Sequence, residues 1–408
     1  MKIATGSIIH RGQEWILPIA RGLLLAELLA LFFSTSLAVG VELLVYPLFL
    51  FSAELRGRLF RAIAQPMVKA ALAWGAVLLV AALYSVADGP ETMGNLVSWR
   101  KLLLLPMAAA VFDSKAWKYR LVWGFILFTS LGAVLSYLSW FGDIRIYKYP
   151  VGIAIINHAT QAMVFAVSFF AIAMLIRYPQ PENRGWRWFL PVAGLAVCTN
   201  LLFITPGRSG YLALLVLAAF ASFVMAPGRI RYFLGLGIPL GLALLLFFSP
   251  VASQRIMQGF SEIKNYEQSE ELTSMGLRVV MWQNTLEIIR EKPWFGYGTG
   301  GFMEAYRRQV EGRTGWRGQA VGDPHNQFMR IVAEQGILGL AVFFWLIGAF
   351  FRQRVTRVYR LMGLGVLLAW CATSMFSAHF STFAEGRFLY LWCGAMLAGD
   401  NSRDDPAA

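Results

Sequence analysis

Residues 231–249 read RYFLGLGIPLGLALLLFFS, an apolar run whose one charge is its first residue, and the sequence after it turns polar from 250 to 333. At about 1.5 Å per residue such a helix reaches roughly the 30 Å of a hydrocarbon core. The run therefore predicts a membrane span, and the change at 250 predicts that the chain leaves the bilayer there.

Working outward, similar runs lie near 17–36, 37–53, 67–87, 101–112, 119–141, 153–176, 188–205 and 209–226, and again near 334–351, 358–378 and 386–399. The run at 101–112 and the last one are short, which predicts tilted, broken or re-entrant segments. Of 408 residues, 57% are hydrophobic and 14% charged, with a mean hydropathy of +0.56, so most of the chain cannot face water. The expectation is an all-α polytopic membrane protein of about twelve transmembrane helices with one large helical loop between the ninth and tenth. Its parts are an N-terminal bundle of about nine spans (1–249), the loop (250–333), and about three C-terminal spans with a short cytoplasmic tail (334–408). The first run is long and lacks a cleavage site, which predicts a first helix rather than a removed signal peptide. Cys198, Cys371 and Cys393 lie in apolar segments without metal-ligand spacing and read as packing residues.

A formal charge of +13 would suggest a nucleic-acid partner in a soluble chain, but here the basic residues follow topology. Lys2 and Arg11, then Arg56, Arg58, Arg61 and Lys69, then Lys115, Lys118 and Arg120 fall on one side of the membrane. So do Arg177, Arg184 and Arg187, then Arg229 and Arg231, then Arg352, Arg354, Arg357 and Arg360. The short loops of the other side hold Arg100, Lys101, Arg145, Lys148, Arg208 and Arg387. This places both termini in the cytoplasm and the long loop outside, which in a bacterium is the periplasmic face of the inner membrane. Basic and acidic residues nearly balance in the loop, so its charge does not oppose translocation. No nucleic-acid partner is expected.

Within the loop, Gly276 to Lys292 predicts an amphipathic helix with Leu277, Met281, Thr285 and Ile288 on one stripe, ended by Pro293. Trp294-Phe295-Gly296-Tyr297-Gly298-Thr299-Gly300-Gly301 is turn-forming, and Phe302 to Val310 predicts a second short helix. The glycine-rich stretch lacks the order of a nucleotide-binding loop and also fits an ordinary turn. In Asp323-Pro324-His325-Asn326, Asp323 suits an N-cap and Pro324 the first helical position. That would place His325 in a first helical turn, where the dipole favours neutral imidazole. Taken alone, His325 fits a capping residue as well as a base. Arg208 sits in Thr205-Pro206-Gly207-Arg208-Ser209-Gly210, an otherwise uncharged hairpin between two apolar helices, where an ionisable group is costly unless used or snorkelling. Backbone amides at that helix start suit a phosphate.

Arg278, Trp282, Lys292-Pro293-Trp294-Phe295-Gly296-Tyr297-Gly298, His325-Asn326 and Glu334-Gln335-Gly336-Ile337-Leu338-Gly339, together with the spans and loop, resemble the O-antigen ligase and polymerase superfamily. The local likeness covers about 276–340. It implies a GT-C-like glycosyltransferase that moves a glycan from undecaprenyl diphosphate to an acceptor, lipid A-core oligosaccharide for a ligase. Polymerases and protein O-oligosaccharyltransferases share the motifs. On the resemblance, His325 matches the catalytic histidine, and Arg208 and Arg278 match arginines that bind the diphosphate. Ser209, Asn326, Arg145, Lys148 and Arg387 are possible supporting residues, the last three fitting topology as well. His158 reads as a polar residue of the bundle and His379 as a membrane-interface residue, while His10 lies on the opposite side.

The implied chemistry is inverting transfer: His325 takes the proton of the acceptor hydroxyl while the arginines stabilise the departing diphosphate. No glycosidase-like carboxylate pair, paired-histidine motif or Asp-x-Asp motif is evident, so neither metal nor cofactor is expected. A transporter or flippase would also have many spans, but no internal repeat or relay of intramembrane charges is visible, Arg21, Glu27 and Glu42 being scattered near the start.

Overall fold

Ser34, Ser52, Asp88 and Asn157 each open a helix by accepting a hydrogen bond from the backbone N–H three residues on. The computed structural model describes residues 4–179, 185, 188–264 and 273–400. Lys2, Arg184 and Arg187 lie outside them, as do residues 401–408 of the expected tail and the side chains of His10 and Arg11.

The helices are α1 (Ala4–Ala30), α2 (Thr35–Phe51), α3 (Ala53–Ala62), α4 (Pro66–Ala82), α5 (Gly89–Ser98), α6 (Leu104–Val111), α7 (Lys115–Gly142), α8 (His158–Arg177) and α9 (Phe189–Phe203). They continue as α10 (Arg208–Met225), α11 (Ile230–Phe248), α12 (Pro250–Lys264), α13 (Ser274–Glu291), α14 (Phe302–Gln309), α15 (Gln327–Phe351), α16 (Arg357–Thr373) and α17 (Phe383–Met396). The described residues are all-α, with short 3-10 turns at Trp99–Leu103 and Gly315–Gly318.

Among them, α7, α8, α10, α11 and α15 are long and apolar enough to cross a membrane, and α2 with α3 passes the same test as a pair bent by 90°. Shorter apolar helices are α4 and α9. The expected run at 101–112 is broken into the 3-10 turn and the eight-residue α6, whose length of about 12 Å cannot cross a hydrocarbon core. Leu246 is the one buried residue of α11, and Phe233, Leu236, Leu240, Phe247 and Phe248 are exposed, an apolar surface suited to lipid.

Close packing fixes the bundle. A Cβ on Gly207 or Gly210 would meet the Ala162 Cβ at 2.4 or 2.2 Å, so these glycines let α10 abut α8. The buried charges pair: Arg387 Nε lies 2.6 Å from Glu42 Oε1, Arg100 Nη2 lies 2.9 Å from Glu42 Oε2, and Arg21 and Arg58 share Asp113. Glu27 Oε1 is 3.9 Å from Arg387 Nε. Glu27, Glu42 and Arg21 thus belong to interior ion pairs.

Among its described residues, the loop region holds α12, α13, α14 and the start of α15. On α13, Met281, Thr285 and Ile288 are buried and Leu277 partly so, as the stripe predicted, with Tyr297, Phe302, Tyr306 and Val310 packed around them. The two glycine motifs prove to be partners. Gly336 breaks α15 at φ 69°, ψ −175°, a conformation essentially restricted to glycine. The break frees backbone groups that the 293–298 turn satisfies: Tyr297 N–H donates to Ala333 O (2.9 Å), Gly298 N–H to Glu334 O (2.8 Å), and Ile337 N–H to Pro293 O (2.8 Å). On its other side, Thr299 bonds Ala81 O and Leu78 O of α4. The glycine-rich stretch is therefore a splint joining α4 to the kink of α15.

Candidate active site

Arg208, expected at a hairpin, is the first residue of α10. The hairpin is held by a buried polar network: Gln161 Nε2 donates to Thr205 Oγ1 (2.8 Å), Thr205 Oγ1 bonds Asn200 Oδ1 (2.8 Å), and Tyr211 Oη donates to Thr205 O (2.9 Å). The Arg208 side chain crosses α12 where it meets Gly259: its Nε donates to Arg255 O (3.0 Å), and a Cβ on Gly259 would stand 3.3 Å from its Cζ. Its Nη2 lies 4.0 Å from Glu262 Oε1.

Glu262 also accepts the Met275 N–H at 2.8 Å, which ties α12 to the start of α13. Thr273 caps α13 by accepting the Gly276 N–H. Arg278 follows in the next turn. Burial, and then Arg208, lower the hold of Arg278 on its proton, against Glu262 and Asp323.

These residues converge on one cavity of about 370 Å³ lined by Arg208, Ser209, Arg255, Arg278, Glu262 and His158 among others, with Thr373 and Phe376 at another edge. Three guanidinium groups face one carboxylate, so the lining suits an anion, and planar arginines suit phosphate oxygens. A second cavity of about 460 Å³, with Trp140, Ile153, Ile204 and Val251 in its wall, shares His158, Pro206, Arg255 and Gln258 with the first. His158 is exposed at the first position of α8 and lines both, which corrects its reading as a residue within the bundle.

His325 does not line either cavity. It precedes α15, half-buried, with φ 53°. The expected cap at Asp323 is corrected: Asn326 is the N-cap, accepting from Phe328 N–H and Met329 N–H at 3.1 Å. Asp323 Oδ1 instead accepts the His325 N–H at 2.7 Å, a local turn that competes with helix formation and holds the histidine outside the helix. Trp282 Nε1 donates to Pro324 O (2.9 Å), fastening this turn to α13. Burial pushes the His325 proton affinity below its ordinary value, Asp323 opposes, and Arg278 adds to the lowering. The imidazole is thus biased to its neutral form by burial rather than by a helix dipole.

Of the supporting candidates, Ser209 lines the cavity, whereas Asn326 is used as a cap and in donating to Met375 O (3.0 Å). Arg387 is buried against Glu42 away from the cavity. Arg145 and Lys148 are exposed on the segment after α7 and line neither cavity. Sequence reasoning missed Arg255, although Arg255, Gln258 and Glu262 recur at i, i+3 and i+7, a polar stripe readable on a helix. It also misplaced His379, which is 4% exposed rather than interfacial.

Among the described residues, an all-helical fold with several membrane-capable helices describes a multi-pass membrane protein, and the arginine-lined cavity has the charge to suit an anion. Residues 193–344 match the family described as O-Antigen ligase. The matched span includes Arg208, Arg255, Arg278 and His325. The chain is also 35% identical over 81 residues to an uncharacterized protein of Haemophilus influenzae, covering 19% of this chain and 20% of that protein. It thus matches about a fifth of the length of that curated relative.

Proposed function

We propose that the chain is an O-antigen ligase that transfers a glycan from undecaprenyl diphosphate to lipid A-core oligosaccharide at the periplasmic face of the bacterial inner membrane. The observation that carries this reading is the convergence of Arg208, Arg255 and Arg278 on one cavity, with His325 electrostatically linked to Arg278. In it, both termini lie in the cytoplasm and the 250–333 region lies over the outer leaflet. Arg208, Arg278 and the newly found Arg255 bind the diphosphate and stabilise the charge it gains on departure. His325, held neutral, takes the proton of the acceptor hydroxyl as that oxygen attacks the anomeric carbon. One displacement inverts the centre, and the scheme needs no metal: activity should survive a chelator.

The acceptor is tested in a strain lacking the gene. Ligase loss leaves long glycan on the lipid carrier and bare lipid A-core. A single repeat attached to the core would instead assign a polymerase, and loss of glycan from a protein with normal lipopolysaccharide a protein O-oligosaccharyltransferase.

A further inference from the structure

The turn that carries His325 is built on Asp323, and both oxygens of that carboxylate are engaged. Oδ1 accepts the His325 N–H at 2.7 Å, and Oδ2 lies 3.8 Å from Arg330 Nη1. The pair is largely shielded from water, with 16% of the Arg330 side chain and 29% of the Asp323 side chain exposed.

Arg330, in the first turn of α15, directs the rest of its planar fork at two other places. Its Nε donates to Glu334 Oε1 at 3.2 Å, and its Nη2 to Asn95 Oδ1 of α5 at 3.0 Å. Asn95 is itself fixed: its Nδ2 donates to Glu91 O (3.0 Å), and a Cβ on Gly300 would stand 2.8 Å from that nitrogen. Glu334 belongs to the kink of α15, where its carbonyl accepts the Gly298 N–H. One guanidinium thus joins α5, the α15 kink and the His325 turn, a three-way geometry that suits arginine and not lysine.

The charged groups around the turn come from several elements. Asp323 and, from α13, Arg278 act on the His325 ring, and His325 in turn acts on His379 between α16 and α17. Arg330 faces Glu334, Asp323 and Glu91, and it acts on Lys101 in the 3-10 turn after α5.

We propose that Arg330 is a positioning residue for His325: it anchors the Asp323 carboxylate on the backbone side of the turn, so that the ring stays open to the acceptor hydroxyl. This rests on the transferase reading above. With Arg330 gone, Asp323 Oδ2 loses its cation and can turn toward the imidazole. A carboxylate there holds the ring as imidazolium, which cannot take a proton.

Arg330→Gln alone would leave the buried Glu334 without its cation, so the test is run in Glu334→Gln, which removes that carboxylate. The full chain in phospholipid nanodiscs, its four histidines isotopically labelled, is titrated by NMR. Glu334→Gln should titrate His325 as the wild type does. Adding Arg330→Gln should raise the His325 midpoint by about one pH unit, and it should lose that effect where Asp323→Asn is already present. In membranes the acid limb of kcat/KM should move up with the midpoint. The loss of transfer should reach about tenfold on the acid side and vanish at alkaline pH, with prenyl diphosphate binding retained. An unmoved His325 midpoint, a rise undiminished by Asp323→Asn, or a loss of transfer equal at every pH would overturn the role of Arg330. The full midpoint rise together with wild-type transfer by His325→Gln would keep the link from Arg330 through Asp323 to His325 and overturn the transferase reading.

Discussion

Asp323 Oδ1 accepts the backbone N–H of His325 at 2.7 Å, and the same carboxylate opposes the effect of burial on the imidazole. Asp323→Asn keeps an oxygen for the turn and removes the charge. We predict that its His325 titrates at lower pH than the wild type, by NMR, with the fold unchanged. A rise would mean that Asp323 does not act on the ring through its charge.

The depressed proton affinity of His325 has a definite sign in pH dependence. The folded histidine stays neutral below its ordinary value of 6.5 while the unfolded chain takes up a proton. The acid limb of kcat/KM should therefore lie below 6.5, and this residue's contribution to stability should fall as pH drops through that range. Initial rates and thermal unfolding between neutral pH and pH 5 check both. An acid limb above the ordinary histidine value would oppose the assignment.

Gly259 gives the Arg208 guanidinium its path across α12. Gly259→Leu should displace that group and weaken binding of a prenyl diphosphate by roughly tenfold, about 1.4 kcal/mol, without unfolding the chain. Arg208→Lys should not restore the wild-type affinity, because one ammonium cannot replace the planar fork. Calorimetry on detergent-purified protein distinguishes these outcomes, and wild-type affinity in Gly259→Leu would remove Arg208 from the site.

Gly336 combines a positive φ with a place where a Cβ would sit 2.0 Å from Trp294 O. Gly336→Ala should cost on the order of 2 kcal/mol or more and separate the α15 kink from the 293–298 turn. Thermal unfolding measures it. A stability equal to wild type would mean that the kink is dispensable.

Arg387 is expected to matter for folding rather than for donor binding. Arg387→Ala leaves Glu42 with a buried charge that Arg100 alone must balance, a loss of about 3–5 kcal/mol for such pairs. Expression should fall, and Glu42→Gln in the same chain should recover part of it. Normal expression with lost diphosphate affinity would return Arg387 to the site.

Much of this was legible because local rules and tertiary needs agree. The α13 stripe at Leu277, Met281, Thr285 and Ile288 is periodic and, apart from the partly buried Leu277, buried, and Arg208 stood out as a lone charge between apolar helices. The turn before α15 misled because two capping residues compete: Asp323 fits the cap pattern, but Asn326 lies next to the helix and wins, leaving Asp323 to form the turn. His379 was read as an interface residue and is buried. Its burial comes from α16, α17 and the α15 cap closing around a short connecting segment, and no spacing in the sequence encodes that. Arg255 was hidden because 250–264 was read only as part of the polar stretch 250–333, with no helix assigned to it.

The claim that His325 is the base is tested most directly by glycan transfer in membranes carrying His325→Ala at matched expression, with prenyl diphosphate binding measured in parallel. The account predicts transfer lowered by about a hundredfold or more with binding retained. Wild-type transfer by that variant would contradict it.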